Sequence, residues 1–278
     1  MPRDGLPAGL AAVLPDAIRP HWTAPAGISA LMSTRHGGVS QAPFDSLNLR
    51  SPALGGADVD VPADVLENQR RFAQALGARP VWLQQVHGAE VLRLAPAHLR
   101  LGEPLPRADA SICTEPGIAC AVQVADCLPV LLCSADGRAV GAAHAGWRGL
   151  ATGVVDRTVA ALCEAAACQP SQLLAWLGPC IGPDAFEVGA DVLQAFGADP
   201  QVLHPDGAAL FRFSPRPDGS PRWRADLPGL ARRRLAALGV GAVSGGTWCT
   251  VADPSRFFSF RRAPRSGRMA AAIGIAAC

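Results

Sequence analysis

The sequence predicts a mixed α/β fold, with β-sheets packed against helices in one domain spanning residues 1–278. Three observations lead there. Short apolar runs of strand length recur along the chain, a few segments carry helical periodicity with start and stop residues, and the two kinds interleave with hairpins rather than alternating regularly. A chain of 278 residues sits at the upper end of what one hydrophobic core supports, and no linker or internal repeat divides it.

Residues 1–60 are rich in Pro and Gly and show short alternations such as Ile28, Ala30, Met32, which suit strands joined by loops. Met1 to Pro20 is expected as an irregular extension. Pro62 to Leu76 reads as a helix, with Pro at the first position, Leu66, Phe72, Ala73 and Leu76 near helical spacing, and Gly77 as the stop. Strands are expected at Val81–Val86, Val91–Ala95, Ile118–Val124, Pro129–Cys133 and Ala139–His144, with Asp136-Gly137 as the hairpin turn between the last two. Leu150, Val154, Val155, Thr158 and Leu162 mark one face of a helix beginning just after Gly149. A strand at Leu173–Leu177 and a short helix over Val188–Phe196 follow. Asp226 is the expected N-cap of a helix whose apolar face holds Leu227, Leu230, Ala231, Leu235 and Leu238, ended by Gly239. Arg232, Arg233 and Arg234 fall within it and read as a solvated face. Strands are expected again at Val240–Val243 and Phe257–Phe260.

Composition narrows the function classes. The chain is 49% apolar and only 17% charged, so it is not of the disordered class. All 25 basic residues are arginine, but they are dispersed and the net charge is only +2, which argues against nucleic acid or a membrane surface as partner and for a small ligand. No apolar run approaches the roughly 20 residues that span a bilayer. Nine cysteines, an odd number, and an N-terminus without an export-type apolar segment point to a cytoplasmic protein with reduced thiols. Cys113, Cys120, Cys133, Cys163 and Cys168 lie in apolar stretches and read as small buried hydrophobes.

Cys127 stands apart, in Ala125-Asp126-Cys127-Leu128-Pro129. So do two histidine segments, Gln84-Gln85-Val86-His87-Gly88 and Ala143-His144-Ala145-Gly146-Trp147-Arg148-Gly149. Each puts a metal-competent side chain at a strand end. Two imidazoles and a thiolate are a standard zinc set, and three ligands leave a fourth position open for water or substrate. A strand-end histidine is nevertheless more often a hydrogen-bonded structural residue, and no short C-x-x-C or H-E-x-x-H pairing occurs, so spacing alone does not select the metal reading.

The strings VHG, VADCLPVLL, GAAHAGWRG, LGPCIGP, FEVG and FFSFRR resemble the signature of the laccase-domain family, in a similarity that runs from about Ser33 to Gly274. Its members have been called multicopper polyphenol oxidases, purine nucleoside phosphorylases and peptidoglycan editing factors. The resemblance implies a single α/β domain, a zinc held by His87, Cys127 and His144, and substrate contacts from Arg35, Asn48 and Arg148. Two departures stand out. Phe260 and Ala263 replace a Tyr and an Asp common in the family, and Arg50 follows Ser46-Leu47-Asn48-Leu49 where Gly is common.

The implied reactions are phosphorolysis of purine nucleosides such as adenosine, inosine and methylthioadenosine, and deamination of adenosine. Arginine suits the phosphate because its planar fork donates two parallel charge-assisted hydrogen bonds, and Arg35 and Arg148 are the candidates. For deamination, a zinc-bound water needs a carboxylate to move protons. Asp126, beside Cys127, is the first candidate, with ligand orientation as its alternative role, and Asp109 is the second. Trp147 either stacks on a purine or packs beside the metal loop. The rival readings are a copper-dependent polyphenol oxidase, a cysteine hydrolase with Cys127 as nucleophile, a peptidoglycan-precursor editing enzyme, and a structural metal site completed by Cys180 or His36. Six histidines are too few for both a mononuclear and a trinuclear copper site, although copper(II) competes for the same three ligands.

Overall fold

The computed structural model describes residues 13–56, 59–100, 104–201 and 210–277. The expected irregular extension lies outside the described residues over 1–12; beyond it, Ile18 forms an isolated bridge with Met32. The architecture is mixed α/β, with two large sheets face to face and helices on their outer sides.

The first sheet has four strands, β1 (Ile28–Met32), β2 (Arg79–Val81), β5 (Ile118–Val124) and β13 (Met269–Ile275), in the order β1-β13-β5-β2. The second has six: β3 (Val91–Arg93), β4 (Ala110–Cys113), β6 (Leu128–Ser134), β7 (Val140–Ala145), β8 (Leu173–Leu177) and β12 (Ala242–Gly245), in the order β12-β8-β6-β7-β4-β3. A small sheet of β9 (Glu187–Val188), β10 (Phe211–Phe213) and β11 (Trp223–Ala225) adjoins them.

Strand parity sets the layers. On β5, Ile118, Cys120, Val122 and Val124 face the core between the two sheets, whereas Ala119 and Ala121 face helix α1 (Pro62–Leu76). β13 repeats this, with Met269, Ala271 and Ile273 inward and Ala270 and Ala272 towards the helix. Bulky residues thus fill the sheet-to-sheet core, while alanines let α1 lie close. On the six-stranded sheet, Leu131, Cys133, Val140 and Ala142 join that middle core. Leu128, Val130, Leu132 and Ala143 face helices α3 (Val154–Ala166) and α5 (Leu227–Ala237). Val154, Val155, Val159 and Leu162 of α3 are buried there, each worth about 1.5–3 kcal/mol relative to exposure. Cys113, Cys120 and Cys133 are buried as expected, and burial pushes all three thiols up.

Several elements match the sequence reading: α1 with Pro62 at its start and Gly77 at φ 74°, β5, β8, the Asp136-Gly137 hairpin, and Asp226 capping α5 through Gly229 N at 2.9 Å. Others differ for identifiable reasons. Leu66 is exposed on α1, because Asn68 takes the inward position and bonds Val39 N, Ser40 Oγ, Ser46 O and Asn48 O, tying residues 39–48 to the helix. The expected strand Val81–Val86 stops at Val81, since the amides of residues 86–88 donate to a side chain instead of a neighbouring strand. The helix expected after Gly149 starts earlier, as α2 (Trp147–Ala151), and breaks before α3 at Gly153, which has φ 91°. The helix expected over Val188–Phe196 is Ala190–Ala195, α4, with Val188 in β9. Val240–Val243 shifts to Ala242–Gly245, and Phe257–Phe260 is irregular, with the Phe257 carbonyl accepting from the Arg262 guanidinium rather than from a strand ladder. Arg234 pairs with Asp156 at 2.6 Å and Arg232 bonds the Gly245 carbonyl, so of the three adjacent arginines only part is a plain solvated face. Among the described residues no helix is long and apolar enough to cross a membrane.

Candidate active site

The β6–β7 hairpin aligns Leu128 with Ala145 and Pro129 with His144. Cys127 and His144 therefore share the face of Leu131 and Val140, the one turned towards the first sheet, at the end where the core opens. His87 arrives from residues 82–88 with a left-handed backbone, φ 61°. One ligand atom from each of His87, Cys127 and His144 lies within 4.8 Å of the others, and Cys127 Sγ is 4.0 Å from His87 Nε2. The imidazoles meet edge to face with centroids 4.8 Å apart.

Asp109, fully buried just before β4, organises this cluster. Its carboxylate accepts hydrogen bonds from Val86 N at 3.1 Å, His87 N at 2.9 Å, Gly88 N at 2.7 Å and His144 Nδ1 at 2.9 Å. Burial acts to raise Asp109, but the hydrogen bonds from His144, Gly88 and Val86 prevail and hold it below its ordinary value. With Nδ1–H given to Asp109, His144 turns Nε2 towards the cluster, the arrangement typical of metal-ligating histidines. Burial also works against charge on the other two groups. Even so, Cys127 is brought down to about 6, by the His144 charge and hydrogen bonds from His144 and His87, and His144 is raised to about 9 by Cys127 and Asp109. The pair is a thiolate beside an imidazolium, a state that surrenders one proton when a cation takes its place. A thiolate and two imidazoles within a few ångströms fit a single transition-metal ion, and among the described residues no other cluster does.

The cluster opens into a cavity of about 620 Å³ lined also by Arg50, Gln84, Gly146, Trp147, Arg148, Ile181, Phe186, Phe260, Arg261 and Arg268. Gly146 is needed for close approach, because a Cβ there would lie 2.8 Å from Cys127 Sγ. Arg148 is exposed, and its guanidinium lies 4.3 Å from the Trp147 ring centroid with no carboxylate partner among the described residues. Trp147 thus braces an arginine in the cavity wall.

Three other candidates are placed differently. Arg35 donates to the Asp45 carbonyl, the Asp45 carboxylate and the Pro254 carbonyl, and stacks 5.0 Å from the Phe258 centroid, away from the cavity lining. Asn48 is buried; its Oδ1 accepts from Arg50 N at 3.1 Å and Arg268 N at 2.9 Å, and its Nδ2 donates to Asp60. It fastens two arginine-bearing segments of the wall together. Asp126 accepts from Thr250 Oγ1 at 2.6 Å, Ser259 Oγ at 3.0 Å and Arg261 N at 2.7 Å. It lines the cavity, and its carboxylate ties together the turns around residues 250 and 259–261. Sequence reasoning did not select Arg50, Phe260, Arg261 or Arg268 as site residues. The departures at positions 50 and 260 were the available signal.

The family model described as multi-copper polyphenol oxidoreductase laccase matches residues 29–276. A Pseudomonas aeruginosa protein named purine nucleoside phosphorylase is 48% identical over 257 residues, covering 92% of this chain and 97% of the relative. The Escherichia coli protein named purine nucleoside phosphorylase YfiH is 47% identical over 260 residues, with the same two coverages. A crystal structure of a Neisseria meningitidis protein superposes with a TM-score of 0.80 at 43% identity, covering 94% of this chain and all of that one.

Proposed function

This chain belongs to the family described as multi-copper polyphenol oxidoreductase laccase, and from that premise we propose that it is a purine nucleoside phosphorylase of the cytoplasm that also deaminates adenosine. The observation that carries the reading is the placement of Arg148, without a carboxylate partner among the described residues, in the cavity that the His87–Cys127–His144 cluster opens into. The names of the relatives support it, as does an arginine-lined cavity whose carboxylate, Asp126, is spent on three donors.

His87, Cys127 and His144 would hold zinc, which when bound supplies Lewis-acid character and acidifies water in the cavity. The description of the family names several coppers, whereas the described residues offer one three-ligand cluster, so a single ion is the stoichiometry proposed. Arg148 holds phosphate with its planar fork and orients one oxygen towards C1′ of the nucleoside. As the C1′–O bond forms, the C1′–N9 electron pair leaves with the purine, which takes up a proton. Asp109 fixes both histidines, and Asp126 fixes the turns around residues 250 and 259–261. Asp109 has four donors on its carboxylate and Asp126 three, so the deamination proposal draws its proton transfers chiefly from water and substrate.

The test is release of adenine and ribose 1-phosphate from adenosine and phosphate by protein of known metal content. Arg148→Lys keeps the charge but loses the bidentate fork, and is expected to raise KM for phosphate about tenfold with a smaller effect on deamination. Wild-type protein with one bound metal per chain that releases no purine from adenosine, inosine or methylthioadenosine overturns the proposal.

A further inference from the structure

Phe260 is exposed in a place where exposure needs a reason. The large apolar side chains exposed among the described residues are Val59, Val61, Leu66, Val86 and Phe260, and of these only Phe260, at 53%, lines the cavity. Its neighbours Phe257 and Phe258 are buried. The turn carrying it is held on both flanks by one carboxylate: Ser259 Oγ and Arg261 N both donate to Asp126 Oδ2, while Thr250 Oγ1 takes Oδ1. Ala263 N bonds Ser259 O at 2.9 Å, and the Arg262 guanidinium bonds the carbonyls of Thr250, Val251 and Phe257. The ring is therefore presented to the cavity by a fixed backbone. The Arg268 guanidinium covers one side at 5.7 Å from the ring centroid, and Asn48 anchors the Arg268 backbone in turn.

We infer that Phe260 is the platform on which the heteroaromatic base of the substrate stacks, and that Asp126 is the positioning residue that sets this platform relative to the metal cluster. Asp126 immediately precedes the ligand Cys127, so one side chain links the metal-ligand loop to both flanks of Phe260. A phenyl ring has no polar handle and every purine has a π-face, so the platform recognises planarity rather than the pattern of ring substituents. The platform therefore accepts purine nucleosides as a group, with discrimination among adenine, hypoxanthine and guanine left to other contacts. This inference rests on the nucleoside reading of the cavity and deepens it.

The experiment pairs kinetics with direct binding of free adenine by calorimetry, which needs no turnover. Phe260→Ala is expected to weaken adenine binding about tenfold or more, the scale of losing one base–aromatic stack. It should raise KM for adenosine, inosine and guanosine by similar factors, with KM for phosphate and metal content unchanged. Phe260→Tyr restores all of these. Asp126→Asn, with metal content and melting temperature as controls, is expected to raise the same nucleoside KM values. Unchanged adenine binding in Phe260→Ala, or a loss that Phe260→Tyr does not recover, overturns the stacking assignment. Wild-type protein that binds adenine but cleaves no nucleoside overturns the phosphorylase reading while leaving the platform in place.

Discussion

Replacing Asp109 by Asn tests whether the metal cluster is preorganised by one buried carboxylate. The ionised side chain accepts four hydrogen bonds, three from the backbone of residues 86–88 and one from His144 Nδ1, at 2.7 to 3.1 Å. A carboxylate has enough lone pairs for all four donors. An amide has one oxygen, and its NH₂ group confronts donors that it cannot satisfy. At least two donors then lose their acceptor at a side chain that is itself fully buried. Each such loss costs about 1–3 kcal/mol, so a destabilisation of about 2–6 kcal/mol is expected in urea unfolding of the metal-free protein. The backbone around His87, held at φ 61°, loses the bonds that keep it there, and His144 loses the partner that sets its tautomer. Metal affinity, measured by competition with a chromophoric chelator, should fall about 10- to 100-fold, as is usual when the partner of a ligating histidine is removed. Affinity within twofold of wild type, in a variant that is otherwise folded, would refute the claim that Asp109 organises the ligands.

Two more predictions concern the same cluster. Gly146→Ala places a methyl group 2.8 Å from Cys127 Sγ, so the thiolate must move out of line with the histidines; metal content after dialysis should drop well below wild type, and full retention would show that the thiolate is not a ligand. Between about pH 6 and about pH 9 the metal-free pair holds one proton in its thiolate–imidazolium form, because Cys127 lies below that window and His144 above it. Metal binding at neutral pH should then release about one proton from the pair, read as buffer-dependent heat in calorimetry, and below about pH 6 affinity should fall as the thiolate protonates. Heat independent of the buffer's ionisation enthalpy would contradict the pairing.

Much of the scaffold was legible because it depends on neighbouring residues. The bounds of α1 follow from Pro62 and Gly77, the α5 cap from Asp226, and β5 and β8 from continuous apolar runs of strand length. The candidate ligands His87, Cys127 and His144 stand in motifs visible in the sequence, and the register of the β6–β7 hairpin is enough to bring two of them to one face. What only the tertiary structure decided is the use of polar side chains that reach across the chain. The resemblance implies that Asn48 touches substrate, and only the structure shows that it ties Arg50 to Arg268, whose segments lie more than 200 residues apart in sequence. Position beside Cys127 leaves Asp126 open to proton transfer or to ligand orientation, and only the structure shows that its carboxylate accepts from Thr250, Ser259 and Arg261. The same holds for Asp109, whose four donors come from two segments that flank it at a distance along the chain. Periodicity and capping are local and can be read along one segment, whereas a buried carboxylate or amide takes whatever donors the packed layers bring to it, and that is settled only when the sheets close.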